Sequence, residues 1–405
     1  MKLRTCIKKY KKDTHRAVSP EETLSRIEPK MATAGITRVA DITNLDRIGI
    51  PVFSTIRPTA QDGAISIYNG KGATPAEAKV SAMMEGIERY SAEVHDRNLL
   101  ISSYSDLRKE ENALNPLELI LPPTSDPDSK IPWIMGYDLM NDEEILVPAN
   151  SVFHPLREKY IRLFRTNTNG LASGNEIEEA IFHGISEVIE RDAWSIVERT
   201  KNTGPCITNI ENGLAGDLLR RFTCAMVSVH LKDITSDVSV PTFAAVSDDI
   251  KLRDPVLLTI GMGTHTNASV TMLRALTEVA QSRLTQIHGA REDTTVGEFR
   301  RTIGYDRTKR MNKHWFEISQ ELDSSQIPSH DSDDFLDDIR YMKKRLEDAG
   351  LDRLIVVDLT REEIGVPVVR VIVPGLEVYA MDSERMGARC KNATKDRRLS
   401  RTKPS

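Results

Sequence analysis

Three stretches of the chain repeat one pattern of β-branched and polar positions. Each is an extended run ending in Asp-(Ile/Leu)-Thr, followed by a second run that opens at a proline. The first passes through Asp41-Ile42-Thr43 to Ile50-Pro51-Val52-Phe53, and the second through Asp233-Ile234-Thr235 to Val240-Pro241-Thr242-Phe243. The third passes through Asp358-Leu359-Thr360 to Val366-Pro367-Val368-Val369. β-branched residues favour the extended chain, and a proline near a strand start does least harm to the hydrogen-bond ladder. After the first two units a further short run, at residues 64–68 and 256–260, leads into Asn69-Gly70-Lys71-Gly72 and Gly261-Met262-Gly263-Thr264, read as glycine turns. Between the units, Asn169-Gly170-Leu171-Ala172-Ser173-Gly174 marks another such turn. Helical periodicity follows all three. The pattern predicts an α+β fold of mixed sheets layered with helices. It is read as a duplicated β-β-β-α unit with a central insertion and a partial third copy at the C-terminus. Residues 114–132, rich in proline and aspartate, read as a surface loop, and residues 333–349 as an amphipathic helix stopped by Gly350.

The helices carry an unusual number of carboxylates. Thr74-Pro75-Ala76-Glu77 is a capping box with proline at the first helical position. Along that helix Val80, Met83, Met84 and Ile87 form an apolar stripe. Ser81, Glu85 and Glu88 form a row beside it, because residues three and four apart share a face. The second helix, with Asn175 as its expected N-cap, presents Glu179, His183, Glu187, Glu190 and Arg191 against a core face of Ile181, Ile185 and Val188. The third carries Arg274, Glu278, Gln281 and Arg283. One Glu-x-x-Glu is ordinarily a solvated face with pairs to arginine worth a few tenths of a kcal/mol. Its recurrence on three helices, each behind a glycine segment, points instead to a shared site at the edge of the core. Carboxylates in number suit magnesium, helix N-termini suit phosphate, and Lys71 with the arginines suits the remaining phosphate charge. The expected ligands are therefore ATP and Mg2+. No Walker A or Rossmann fingerprint is present.

Composition narrows the setting. Hydrophobic content of 39% and charged content of 28% are those of an ordinary folded enzyme, and a net charge of −5 gives no reason to expect nucleic acid or an anionic membrane as partner. Four cysteines without a C-x-x-C pair argue against a zinc ribbon and a disulfide scaffold and fit a reducing compartment. The first residues are basic with no apolar segment behind them, so neither a secretory signal nor a membrane span is expected, and the location expected is cytoplasmic. The domain reading is a basic N-terminal segment (1–18), one ATP-binding catalytic domain (19–390) and a basic tail (391–405). His183 is read as packed within a polar helix face. His265 is open to two roles, phosphate contact or turn stabilisation. Cys206 and Cys224 lack basic neighbours that would activate a thiol and are read as structural.

Ser81-x-x-x-Glu85-x-x-Glu88-Arg89, Glu187-x-x-Glu190-Arg191 with Glu179 upstream, and Glu278-x-x-Gln281-x-Arg283 resemble the three nucleotide motifs of the YcaO family. The resemblance runs from about residue 19 to about residue 387. It implies an enzyme that phosphorylates a backbone amide oxygen with ATP. Glu85, Glu88, Glu187 and Glu190 would hold Mg2+. Lys71, Ser81, Arg89, Asn175, Glu179, Glu278, Gln281 and Arg283 would contact the nucleotide, and Glu187, Arg191 and Arg283 would serve catalysis. The run Gly35-Ile36-Thr37-Arg38-Val39-Ala40-Asp41-Ile42-Thr43 is similar to a methanogen branch associated with thioamidation of a glycine in the methyl-coenzyme M reductase α subunit. That resemblance implies a protein substrate, sulfide or a sulfurtransferase, and a TfuA-like accessory protein, with oligomerisation open. The azoline-forming members end in a P-x-P-x-P tail, whereas this chain ends in Arg401-Thr402-Lys403-Pro404-Ser405. The thioamide reading therefore leads, with an azoline-forming cyclodehydratase and a non-catalytic ATP-binding adaptor for a sulfurtransferase as alternatives.

Overall fold

Each Asp-(Ile/Leu)-Thr motif closes the same small turn. Asp41, Asp233 and Asp358 accept from the backbone N–H of Thr43, Thr235 and Thr360, each at 2.9 Å. Each threonine hydroxyl then accepts from the N–H of the residue after the proline, Val52, Thr242 or Val368, at 3.1–3.2 Å. The motif thus turns one strand into the next while the proline stands just before the ladder begins, where it has no N–H to lose.

The computed structural model describes residues 1–290 and 296–402, with side chains except at 296 and 396–402. Strands β3 (Arg38–Asp41), β4 (Val52–Ile56) and β5 (Ile67–Lys71) form an antiparallel sheet covered by helix α2 (Pro75–Ser91), itself flanked by α1 (Pro20–Ile27). A five-stranded sheet runs in the order β13-β12-β11-β10-β14: Ile260–Thr264, Thr242–Asp249, Val227–Asp233, Cys206–Thr208 and Glu321–Asp323. Helices α5 (Gly213–Cys224) and α6 (Ala268–His288) pack on it. The third sheet holds β6 (Leu100–Ser102), β7 (Ile131–Asp138), β15 (Ile355–Asp358), β16 (Val368–Ile372) and β9 (Leu171–Ser173) in that order, with β8 (Glu143–Pro148) also on β7. Against it lies α4 (Ile177–Thr200), backed by α10 (Phe335–Asp348) and α11 (Ala388–Thr402). A hairpin of β1 (Tyr10–Lys11) and β2 (His15–Arg16), with short helices α3 (Tyr104–Leu107), α7 (Val296–Ile303), α8 (Tyr305–Met311) and α9 (Lys313–Phe316), completes the fold. Among the described residues no helix is long and apolar enough to cross a membrane.

The third unit is assembled from distant chain. Val52 and Phe53 pair with Lys71 and Gly70, and Thr242 and Phe243 pair with Thr264 and Gly263. In the same register Val368 and Val369 pair with Ser173 and Ala172. The strand and helix missing after β16 are therefore β9 and α4, supplied by the central segment.

Two glycine-rich segments are strand rather than turn. Gly70 lies in β5, and Gly261 and Gly263 lie in β13. A Cβ on Gly70 would fall 1.9 Å from the backbone nitrogen of Ala82, and one on Gly261 2.1 Å from that of Val279. The missing side chains let α2 and α6 lie directly on their strands, which fixes how far the helices reach into the site. The anticipated phosphate-binding turns are absent there.

Both termini are tied to the body. Lys8 forms a fully buried ion pair with Asp338 at 2.5 Å, so the basic segment 1–18 is docked. Of the expected basic tail, the part through Thr402 continues α11, anchored by Arg389 on Asp192 at 2.8 Å, and residues 403–405 lie outside the described residues. The stretch 114–132 is less superficial than its composition suggests, since Leu114 and Leu119 join the core.

Candidate active site

Each of the three units delivers one helix to a single cavity of about 830 Å³. The Thr74–Glu77 capping box forms as expected and starts α2, so Ser81, Glu85, Glu88 and Arg89 arrive on the cavity side while Met83 and Ile87 are buried behind them. Helix α4 contributes Glu179, His183, Glu187 and Arg191, and α6 contributes Arg274, Glu278 and Gln281. Lys71 on β5 and Asn175 before α4 complete the expected set. Asn175 is not the cap of α4, whose N-cap is Glu176, with no side-chain capping hydrogen bond. Its amide instead donates to Glu179 Oε2 at 3.2 Å and its oxygen accepts from Thr23 at 3.0 Å, bracing the mouth of the site.

Two expected residues are not on the cavity wall. Arg283 is fully buried on another side of α6, where its Nε donates to Asp46 at 2.9 Å and its Nη2 to Asp249 at 2.9 Å. The wall position expected for Arg283 is therefore corrected to a buried ion-pair network off the cavity. The spacing Glu278-x-x-Gln281-x-Arg283 explains this, because five residues exceed one helical turn by nearly half a turn and carry the side chain off the Glu278 face. Glu190 is buried behind the wall with one carboxylate oxygen lacking any partner, yet it feels the charges of Glu278, Arg191, Arg274 and Lys71.

The carboxylates are held by cations already present. Arg89 Nη2 lies 3.0 Å from Glu85, Arg191 Nε lies 4.0 Å from Glu187, and Lys71 pairs with Glu278. Glu88 Oε1 accepts from the backbone and hydroxyl of Ser173 at 2.9 and 2.7 Å. Burial, reinforced by Glu85 and Glu187, pushes Glu88 up to about 8. Burial also raises Glu187 and Glu190, Glu278 adding to the rise at Glu190. At Glu278 burial acts upward too, but Lys71 and Arg191 outweigh it and hold this carboxyl below its ordinary value. Among the described residues no three acidic, histidine or cysteine side chains are grouped closely enough to ligate one ion. The cluster nonetheless fits Mg2+ and phosphate. Glu88, Glu187 and Glu190 are raised by desolvation that a hard cation would relieve. Arg89 Nε, Arg191 Nε, Arg274 Nε and Glu190 Oε2 are buried without hydrogen-bond partners.

Sequence reasoning passed over several wall residues. Arg16, on β2, reaches Glu179 at 3.7 Å and His183, and Thr23 of α1 also lines the cavity. Burial and the cations Arg16 and Arg274 drive His183 well below its usual pKa, so it is neutral. His265, open between phosphate and turn, is buried, and its Nδ1 accepts from the N–H of Asn267 at 2.9 Å. The spacing of Trp194 and Glu198 on the Glu187 face of α4 could have revealed them. Trp315, from α9, carries no sequence signal.

The model of the YcaO cyclodehydratase family, described as ATP- and Mg2+-binding, matches residues 69–377. The chain belongs to the YcaO family. Its fold is that of a YcaO protein from Methanopyrus kandleri bound with AMPPCP and Mg2+, which is 30% identical with a TM-score of 0.80 over 95% of this chain and 98% of that one. A heterocyclase in complex with substrate and cofactor shares the fold at 22% identity and a TM-score of 0.79, over 93% of this chain and 54% of that one. An uncharacterized protein of Methanothermobacter thermautotrophicus is 50% identical over 93% of this chain and 99% of its own length. A protein encoded in the tfuA 3′ region of Rhizobium leguminosarum bv. trifolii is 33% identical over 90% of this chain and 89% of its own. ATP and Mg2+ are accordingly the cofactors of this YcaO protein, and YcaO enzymes are ATP-dependent peptide-modifying enzymes.

Proposed function

We propose that this YcaO protein activates a peptide backbone amide by O-phosphorylation and delivers it to sulfide, giving a thioamide, with a glycine of the methyl-coenzyme M reductase α subunit as the target. The observation that carries the reading is the convergence of three carboxylate- and arginine-bearing helices on one cavity. Glu85, Glu88 and Glu187, joined by the orphaned oxygen of Glu190, would hold magnesium. Bound there, the metal supplies charge neutralisation for the phosphates. Ser81, Asn175 and Glu179 lie toward the N-terminal ends of α2 and α4 and would contact the nucleoside end. Lys71, Arg89, Glu278 and Gln281 would contact the rest of the nucleotide.

An amide carbonyl is a poor electrophile, and phosphorylation gives its oxygen a route out. The amide oxygen attacks the γ-phosphorus, a C–O–P bond forms, the bond to ADP breaks, and the amide proton leaves. Arg191, whose Nε makes no hydrogen bond, would stabilise the charge that develops. Hydrosulfide then adds to the carbon, phosphate departs with the original oxygen and one proton, and the nitrogen is reprotonated. The products are thioamide, ADP and phosphate. The position of a relative beside tfuA supports a TfuA-like accessory protein, and sulfide itself or a sulfurtransferase would supply the sulfur.

The cyclodehydratase name of the family favours a second outcome, in which a neighbouring side chain attacks and water is lost. Incubation with ATP, Mg2+, sulfide and a peptide spanning the reductase glycine, read by mass, separates the two. Exchange of oxygen for sulfur supports the thioamide and loss of water supports the azoline. Absence of ATP consumption under every condition refutes both in favour of an adaptor.

A further inference from the structure

The cavity continues well past the carboxylates. Along α4 its wall reads Glu179, His183, Glu187, Arg191, Trp194 and Glu198 in order. At 1.5 Å per residue, Glu187 stands ~12 Å along the helix from Glu179, and Trp194 a further ~10 Å. With the nucleoside end at Glu179 and the metal at Glu187, as proposed above, the lobe beyond Arg191 would lie on the far side of the γ-phosphate. In-line phosphoryl transfer requires the acceptor oxygen to enter opposite the departing ADP.

That lobe is built rather than vacant surface. The indole N–H groups of Trp194 and Trp315 both donate to Glu198 Oε1, at 3.3 and 3.1 Å. Lys201 holds the other Glu198 oxygen at 2.6 Å. Phe316 and Met381 extend the apolar wall. Arg300, from α7, also lines the cavity, and among the described residues its one hydrogen bond is a long 3.5 Å contact with the carbonyl of Leu258, two residues before Ile260, which packs with Trp194, Trp315 and Phe316. Among the described residues Arg300 has no ion-pair partner within 4.0 Å. Burial lowers its pKa, and among the described residues no carboxylate opposes that shift, which suits this cation to an anionic ligand.

We infer that this lobe is the acceptor subsite: it takes an extended peptide that lays a bulky apolar side chain against Trp194, Trp315 and Phe316 and a carboxylate on Arg300, with the target amide toward Arg191. The assignment rests on the amide-phosphorylation reading. Glu198 is a positioning residue that acts by fixing both indoles.

The test is direct binding, by fluorescence anisotropy, of labelled glycine-centred peptides to the full chain saturated with Mg·AMPPCP. The peptides differ only in the flanks: aromatic or alanine on one side, aspartate or lysine on the other. The aromatic–aspartate peptide is expected to bind tightest. Arg300→Gln should weaken it about tenfold to a hundredfold, the loss of one charge-assisted hydrogen bond. Arg300→Glu should prefer the lysine peptide, and Phe316→Ala should erase the aromatic preference. AMPPCP affinity should stay at the wild-type value in all three. Equal affinity for every peptide overturns the assignment. A parallel fall in AMPPCP affinity also overturns it, because the lobe would then belong to the nucleotide. Product mass is scored separately: flank-dependent binding that yields a ring sinks the thioamide reading and leaves the subsite standing, whereas a thioamide formed without flank preference does the reverse.

Discussion

Replacing Arg283 with methionine should destabilise this protein severely while leaving the composition of the nucleotide cavity unchanged. The guanidinium is fully buried between Asp46, just ahead of β4, and Asp249, at the end of β12. The two carboxylates are unequally exposed to its loss. Asp249 keeps Arg47 at 2.8 Å and the backbone N–H of Leu252 at 2.9 Å. Asp46 receives Arg283 at 2.9 and 3.3 Å and is itself buried. The cost is therefore dominated by one orphaned carboxylate, and removing one partner of a buried pair costs about 3–5 kcal/mol. Urea unfolding followed by far-UV circular dichroism should show a lower midpoint with a similar slope. The double variant Asp46→Leu with Arg283→Met removes both charges and should recover most of the loss, since a buried pair replaced by apolar residues is often near neutral. AMPPCP affinity of the folded variant should match that of the wild type. A stable Arg283→Met protein that fails to bind AMPPCP would refute the reasoning and return Arg283 to the site.

Other outcomes follow from the same geometry. Glu187→Gln should abolish product formation, yet the ligand-free protein should unfold at a higher urea midpoint, because the buried carboxyl is raised by its own desolvation; retained turnover excludes Glu187 from the chemistry. Mg2+ with ATP at about a hundredfold over Kd should raise unfolding stability by ~2.7 kcal/mol, and ATP with a chelator by clearly less; equal stabilisation would mean the carboxylates hold no metal. His15 and His154 are each depressed to about 4, chiefly by burial and then by Lys8 and Arg89 respectively. The unfolded chain thus takes up these protons first, so stability is full above pH about 6.5 and is lost as pH falls toward 4, by up to about 3 kcal/mol per histidine. His154→Gln should flatten that profile, and an unchanged slope would mean His154 is not buried neutral.

How much of this was legible in the sequence depended on whether the signal was local. The Asp-(Ile/Leu)-Thr turns, the prolines before strands and the Thr74–Glu77 capping box are decided within a few residues, and the structure places each as its pattern indicates. The carboxylate rows were readable because helical spacing alone puts Glu85 with Glu88 and Glu179 with Glu187 on one face. The glycines misled because one composition serves two physical needs. Gly170 does turn the chain at a φ of +78°, whereas Gly70 and Gly261 are extended and small so that a helix can touch the strand. A close approach between elements leaves no mark that distinguishes it from a turn in a single sequence. Arg283 failed for a related reason: its partner Asp46 lies 237 residues away, and no local pattern announces a buried pair.

The split third unit bears on why the site sits where it does. Two of the units are continuous, so their helices are positioned by the hairpins just ahead of them. The third joins β15 and β16 to β9 and α4 across the whole of residues 201–354, so α4 is placed only when the C-terminal strands pair. Helix α4 spans the whole cavity, from Glu179 to Glu198, and is gripped from behind by Lys8–Asp338 on α10 and by Arg389 on Asp192. Both chain ends thus hold the helix that carries Glu187 and Arg191. Loosening either end should disturb α4 before the Glu85 and Glu278 helices, whose supporting strands are local. Hydrogen exchange in the ligand-free protein should therefore show α4 opening at lower free energy in Arg389→Ala than in wild type, with α2 and α6 protection unchanged. Uniform loss of protection across all three helices would show that the units unfold as one and that the split carries no separate mechanical consequence.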